Sequence, residues 1–309
     1  MLTLTALLAA CGPSTESDAP STPWSYEPVA DRDPGLAPAD IEAAITTWLP
    51  ELRRVRVDPL FEAWDIVTAH ADEACPVQEV YDYGASRSSA WYTEGCSAGD
   101  GAAFQGYAQR GSETGVDENG WTVQNEYVYA VAAAVTPEGW AWQGSGYAAF
   151  AYGELDHPDE PEPYLERFSQ HFIGGDFTWD GPSAAGTWLG SALRMTGGWG
   201  SYEVPGLGGN MVLDGTLSGD LGELTALAAS GVSTLTPEWR PCDTLEPTGI
   251  ISLRDADGGW YDAVFNGPVE GEPTPDQCDG CGELWFEGEL VGQVCPDFSA
   301  LLDGVGAAL

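Results

Sequence analysis

The sequence predicts a mainly β protein: an antiparallel multi-stranded sheet, sandwich- or barrel-like, preceded by two short helices. Three observations carry this. Beyond Cys75 the apolar residues recur with period two, Gly, Asp and Pro punctuate the runs, and helical runs are rare. The folded body is expected to be a single domain over 36–309, a helical cap at 36–72 followed by antiparallel β structure at 73–309.

In the cap, Ile41, Ile45, Trp48, Leu49 and Leu52 recur at helical spacing with Asp40 as N-cap, and Pro50 should bend or end that helix. Asp58-Pro59 reads as the N-cap and first-turn proline of a second helix, with Leu60, Phe61, Trp64 and Val67 as its apolar stripe. Strands are then expected at 77–83, 88–93, 103–109, 122–134, 140–152, 188–195, 211–217, 250–254, 260–265 and 283–287. The clearest hairpin is IISLRDADGGWYDAVF, with Asp257-Gly258 near its tip.

A large apolar residue two positions before a glycine recurs at Phe104, Trp142, Trp179, Trp188, Leu213, Phe265 and Phe286. In a strand these two positions share a face, so a ring can cover the bare glycine of a neighbouring strand. Core packing is the expected role; a row of aromatics exposed to sugars is the alternative. Cys96 and Cys278 each stand eight residues before a Phe-x-Gly, which suggests two similar Cys-hairpin units.

The chain has 49 acidic residues against 10 basic ones, a formal charge of −39, and every basic residue is Arg. Such a field repels nucleic acid and attracts divalent cations and cationic partners. No cofactor is implied by any motif.

The first ten residues, MLTLTALLAA, are too short to span a bilayer, which takes about 20 apolar residues, and suit the apolar part of an export signal. Residues 11–35 are rich in Pro, Ser, Asp and Glu and read as a disordered linker. Leu8-Ala9-Ala10-Cys11 resembles the lipobox of bacterial lipoproteins, although no Lys or Arg precedes the apolar run. The resemblance implies removal of residues 1–10, lipidation of Cys11, and membrane attachment through that lipid. Gly12 after the cysteine implies the outer membrane of a Gram-negative-type envelope.

Export also favours disulfides among the other six cysteines, Cys75, Cys96, Cys242, Cys278, Cys281 and Cys295. A hairpin turning between Ala85 and Ser86 pairs Cys75 with Cys96. The repeated spacing makes Cys278 the counterpart of Cys96 and pairs it with Cys242. A turn near Gly288 then pairs Cys281 with Cys295. Exchange of Cys278 and Cys281, or a bond between them, is the alternative pairing. A four-thiolate zinc site is a further alternative.

No coherent catalytic set emerges. Gly95-Cys96-Ser97-Ala98-Gly99 fits the G-x-S-x-G pattern, but turn and strand follow where a helix is needed. His70, His157 and His171 have no recognisable catalytic context. Weak cation ligands are Asp255 and Asp257 at the hairpin tip, and Asp156, His157, Asp159 and Glu160 in a loop expected at 154–168. The expected function is therefore a non-enzymatic cell-envelope lipoprotein, structural or ligand-binding. A surface-anchored polysaccharide hydrolase using paired carboxylates, or a divalent-cation-binding module, is the alternative. The expected partners are the membrane, and divalent cations or glycans, but not nucleic acid.

Overall fold

The computed structural model describes residues 32–302 apart from 55–56, 162, 182–193, 205–207, 236–241, 243 and 269–273. Helix α1 (Pro38–Trp48) continues as a 3₁₀ turn (Leu49–Arg54) and leads into α2 (Asp58–Thr68). Pro50 falls where α geometry gives way to 3₁₀, as its missing N–H requires. The α1 N-cap is Ala37 rather than Asp40. Asp40 sits in the first turn and accepts the Ala37 N–H at 3.0 Å, so the carboxylate works from inside the helix. Likewise Val57 caps α2, and Asp58 is its first residue.

Thirteen strands follow: β1 (Gln78–Asp82), β2 (Ser86–Ser97), β3 (Ala103–Val116), β4 (Thr122–Val135), β5 (Ala141–His157), β6 (Tyr164–Asp180), β7 (Arg194–Val204), β8 (Gly208–Leu221), β9 (Leu224–Leu235), β10 (Thr248–Asp255), β11 (Trp260–Asn266), β12 (Gly282–Phe286) and β13 (Glu289–Val294). A short α3 (Ser299–Leu302) ends the described chain. The strands form one antiparallel meander in which each pairs only with its sequence neighbours. β1 and β13 do not pair, so the sheet stays open rather than closing into a barrel. Of the expected strand at 188–195, residues 188–193 and the Trp188 motif lie outside the described residues, and β7 begins at Arg194.

One face of the sheet carries the helices. There Trp91, Ala108, Val128, Ala130, Ala132, Ala134 and Ala148 are buried. The alanines among them leave room for α2, which lies over β4, β5 and β6. Trp64 of α2 stacks on Trp91 at 6.4 Å and meets Trp142 edge-on at 6.1 Å. The 3₁₀ turn packs on β7 and β8, and α1 packs on β13, so the helices span much of the meander. Cys295 N–H donates to Glu42 of α1, and Asp297 N–H to Thr46, joining the two ends of the chain.

The described aromatics of the recurring motif, Phe104, Trp142, Trp179, Phe265 and Phe286, are all buried. Rings do cover glycines: a Cβ on Gly144 would meet the Phe177 ring at 2.9 Å, and one on Gly282 the Phe265 ring at 2.7 Å. Elsewhere glycine lets two backbones pinch together. Gly146 (φ 148°) and Gly175 (φ 137°) face one another across β5 and β6. A Cβ on Gly146 would stand 2.2 Å from the Gly174 carbonyl oxygen.

Disulfides join Cys75–Cys96, Cys242–Cys278 and Cys281–Cys295, the pairs expected from the sequence. The first hairpin is shifted, however. Asp82 pairs with Arg87, so the turn centres on Gly84 and Ala85, and β2 carries a bulge against β3 between Thr93 and Cys96. The two Cys-x7-Phe spacings also differ in meaning. Cys96 faces Phe104 across the β2–β3 hairpin, whereas the stretch from Cys278 to Phe286 runs into and along β12. The equal spacing is therefore not a repeated unit.

The N-terminal residues of the described body are docked rather than free. Arg32 pairs with Asp255, approaches Asp257 at 3.5 Å and lies over the Phe286 ring. The N–H groups of Gly35 and Leu36 donate to Tyr261 Oη. The last residues of the stretch read as a linker thus belong to the folded body.

Candidate functional site

The helix-free face of β1–β6 follows from alternation. Val128, Ala130, Ala132 and Ala134 of β4 point to the helices, so Tyr127, Tyr129, Val131 and Ala133 point away. Register extends this outward set. Tyr92, Tyr107 and Val131 pair across β2, β3 and β4; Gln109, Tyr129 and Tyr147 across β3, β4 and β5; Tyr127, Ala149 and Phe172 across β4, β5 and β6. Tyr92 is 69% exposed, Tyr129 41%, Tyr147 37% and Phe172 43%.

The rings meet without closing over one another. Tyr107 and Tyr129 are 5.9 Å apart, Tyr127 and Tyr147 6.0 Å, and Tyr147 and Phe172 6.3 Å. Polar contacts fix their orientation. Tyr107 Oη donates to Gln109 at 2.8 Å, and Gln109 Nε2 donates to Tyr127 Oη at 3.2 Å. The Tyr127 ring lies over Gly111, where an added Cβ would meet it at 2.5 Å. Burial raises the Tyr127 and Tyr147 phenols above the ordinary range, and the hydrogen-bonded Glu79 does the same to Tyr81. At neutral pH these phenols are neutral hydroxyls.

Carboxylates Glu79, Glu113 and Asp176 share the face by the same registers. The arginines of β2, β3 and β6, Arg87, Arg110 and Arg167, hold the alternate positions and belong to the other face. Arg110 pairs there with Asp65 of α2, and Arg167 with Glu154 at 3.2 Å. Among the described residues the aromatic face of β1–β6 therefore carries carboxylates and no arginine side chain.

The residues singled out from sequence lie elsewhere. Ser97 ends β2, and the turn into β3 follows it with no helix. Cys96 is bridged, and the Gly99 N–H is bound by Asp72. His70 lies between Asp100 at 2.7 Å and Glu138 at 3.7 Å. His157 stacks on Tyr164 and approaches Glu166 at 3.3 Å, while His171 is buried against Trp199. Two depressions among the described residues are open to solvent. One is lined by Ala71, Asp72, Glu73, Val77 and Gln78, the other by residues of β2, β3 and β4 around Cys96.

The cation ligands fare similarly. The loop expected at 154–168 is mostly strand: β5 runs to His157 and β6 starts at Tyr164, leaving only a short turn. Asp156 and His157 are successive strand residues and so point to opposite faces, and Asp159 and Glu160 lie in the turn. Asp255 accepts the N–H groups of Asp257 and Gly259 at 3.0 and 2.8 Å, and its ionic partner is the Arg32 guanidinium. Among the described residues no three His, Cys, Asp or Glu side chains converge as metal ligands. The six described cysteines are consumed in disulfides, which removes the thiolates a zinc site needs.

Comparison with protein-family models, curated proteins and solved structures finds no match.

The exposed aromatics lie outside the recurring motif, whose described rings take the core role expected of them. The signal that marks the true set is the contrast within YVYAVAAAV, residues 127–135: small residues on one parity, Tyr, Tyr and Val on the other. Small residues belong under a packed helix, so the bulky parity faces outward.

Proposed function

We propose that the protein is a non-enzymatic cell-envelope lipoprotein, held to the membrane through lipid on Cys11, whose β body binds a ligand on its aromatic face. The observation that carries the binding role is that face: a broad, rigid set of half-exposed rings with no covering element among the described residues. Monomeric proteins rarely leave such a surface without use. The Leu8-Ala9-Ala10-Cys11 signal and the polar stretch after it support the anchor, and Gly12 supports the outer membrane. Among the described residues no helix is long and apolar enough to cross a membrane.

The test has two arms. Expression with a fatty-acid probe should label the wild type and leave Cys11→Ser unlabelled and released from the membrane fraction. Incubation with envelope polysaccharides should yield no shortened products. Unchanged labelling of Cys11→Ser overturns the anchor, and release of oligosaccharides would establish a surface hydrolase instead.

A further inference from the structure

We infer that the ligand of the aromatic face is a cationic polypeptide segment, rich in arginine and lysine; the inference rests on the binding role just proposed. Four observations favour it over a neutral ligand. The face presents rings whose π surfaces attract guanidinium and ammonium groups lying within about 6 Å. Carboxylates Glu79 and Glu113 stand on the same face, Glu79 bonded to Tyr81 and Glu113 close enough to Tyr127 to raise its phenol. The arginines of the same strands are all on the opposite face. The whole chain carries −39, a field that draws cations to any surface it does not itself neutralise.

The geometry also suits an extended chain. The rings occupy β2 through β6, four inter-strand steps or about 19 Å at the usual strand spacing. Alternate side chains of an extended peptide are about 6.7 Å apart. The ring centroids are 5.9 to 6.3 Å apart, so successive basic side chains each find a ring or a gap between two. The hydrogen-bonded chain Tyr107–Gln109–Tyr127 holds part of the surface in place before binding, which lowers the ordering cost. The phenols are neutral at physiological pH, so the rings act through their faces while the carboxylates supply the charge.

The experiment uses the full-length chain and a fluorescent decapeptide of alternating Arg and Ser, read by anisotropy. Binding should weaken by about tenfold or more as salt is raised from roughly 50 to 500 mM, because screening shortens to a few ångströms. Tyr129→Ser/Tyr147→Ser should weaken it by about tenfold at fixed salt, and Tyr129→Phe/Tyr147→Phe by no more than about twofold, since the ring face is retained. Val131→Arg, a cation placed at an exposed position between Tyr107 and Ser145, should also weaken binding and keeps the test decisive if the double serine variant does not fold. Unchanged affinity in folded ring-loss or Val131→Arg variants would overturn the inference, leaving only diffuse charge attraction. So would tighter, salt-insensitive binding of cellohexaose, which would make the face a neutral-glycan platform. Loss of peptide binding with intact lipid labelling and no polysaccharide cleavage sinks this inference alone; cleavage sinks the reading beneath it.

Discussion

Glu246 and Asp72 show how one residue type answers to opposite environments. Glu246 is almost fully buried, and burial pushes its carboxyl above the ordinary range. The Gly280 N–H at 3.0 Å offsets part of this, while the charge of Asp279 adds to the rise. A group whose folded pKa is raised contributes most below its unfolded pKa, and that contribution is lost as pH rises through the folded value. Glu246→Gln should therefore melt close to wild type near pH 4 and about 2–4 °C higher at pH 7, measured by calorimetry across pH. Asp72 is the reverse case. The N–H groups of Gly99, Ala74 and Cys75 all donate to it and hold its carboxyl below the ordinary range. Its contribution is present above the unfolded pKa and fades as pH falls through the folded one. Asp255→Ala is expected to cost about 1–3 kcal/mol in urea titration, because the turn N–H groups of Asp257 and Gly259 lose their acceptor. Sequence marked Asp255 only as a weak cation ligand at a hairpin tip; in the structure it pairs with Arg32. No local pattern could reveal that the cation is Arg32, 223 residues away.

Among the elements, the strands with clean alternation were legible and those without it were not. β4 and β11 stand close to their expected limits, since their runs begin and end on turn residues. The start of β6 fell within the acidic loop expected at 154–168, and the rest of the strand gave no clean alternation, with Phe168 and Phe172 on one parity and Phe177 and Trp179 on the other. β9, LTALAASGVSTL, escaped because alanine carries little strand signal. Glycine placement could be seen, but its purpose could not. Gly146 and Gly139 both hold positive φ, yet only at Gly146 does a neighbouring backbone fill the space a Cβ would take. Gly139→Ala should cost about 1–2 kcal/mol from conformation alone, and Gly146→Ala at least about 2 kcal/mol more, compared by denaturant midpoints. The Cys75–Cys96 bridge closes a span of 21 residues. Replacing both cysteines with serine should cost about 3 kcal/mol on the chain-entropy account, read from the same titrations.

At the scale of the whole molecule, charge and fold are nearly independent. The open meander is set by alternation and turns, while the −39 charge sits on its surface and raises self-repulsion. Added salt should raise the melting temperature, and calcium and magnesium at matched ionic strength should raise it equally, because no three acidic or histidine side chains converge among the described residues. A larger shift with calcium would reveal a site. The fold class was readable because period-two patterning survives in a single chain. That the sheet would be one open meander was not, because nothing local says whether a first strand meets a last. The candidate face needed the same global knowledge: which parity lies under helices is decided by α2, whose target strands are far along the chain.

That α1 packs on β13 has a consequence for the order of assembly. Strand pairing here is entirely between neighbours, so the sheet can grow as the chain emerges, each hairpin closing a short loop. α1 is made before every strand of the sheet, yet its partner is β13, and the contact from Glu42 to Cys295 spans 253 residues. Ile41 and Ile45, both fully buried in the finished protein, must wait for β13 to arrive. A chain cut before Glu289 should therefore leave the amides of α1 exchanging with solvent far faster than those of β3–β5, as hydrogen-exchange mass spectrometry would read. The arrival of β13 is thus registered by a helix that precedes every strand of the sheet.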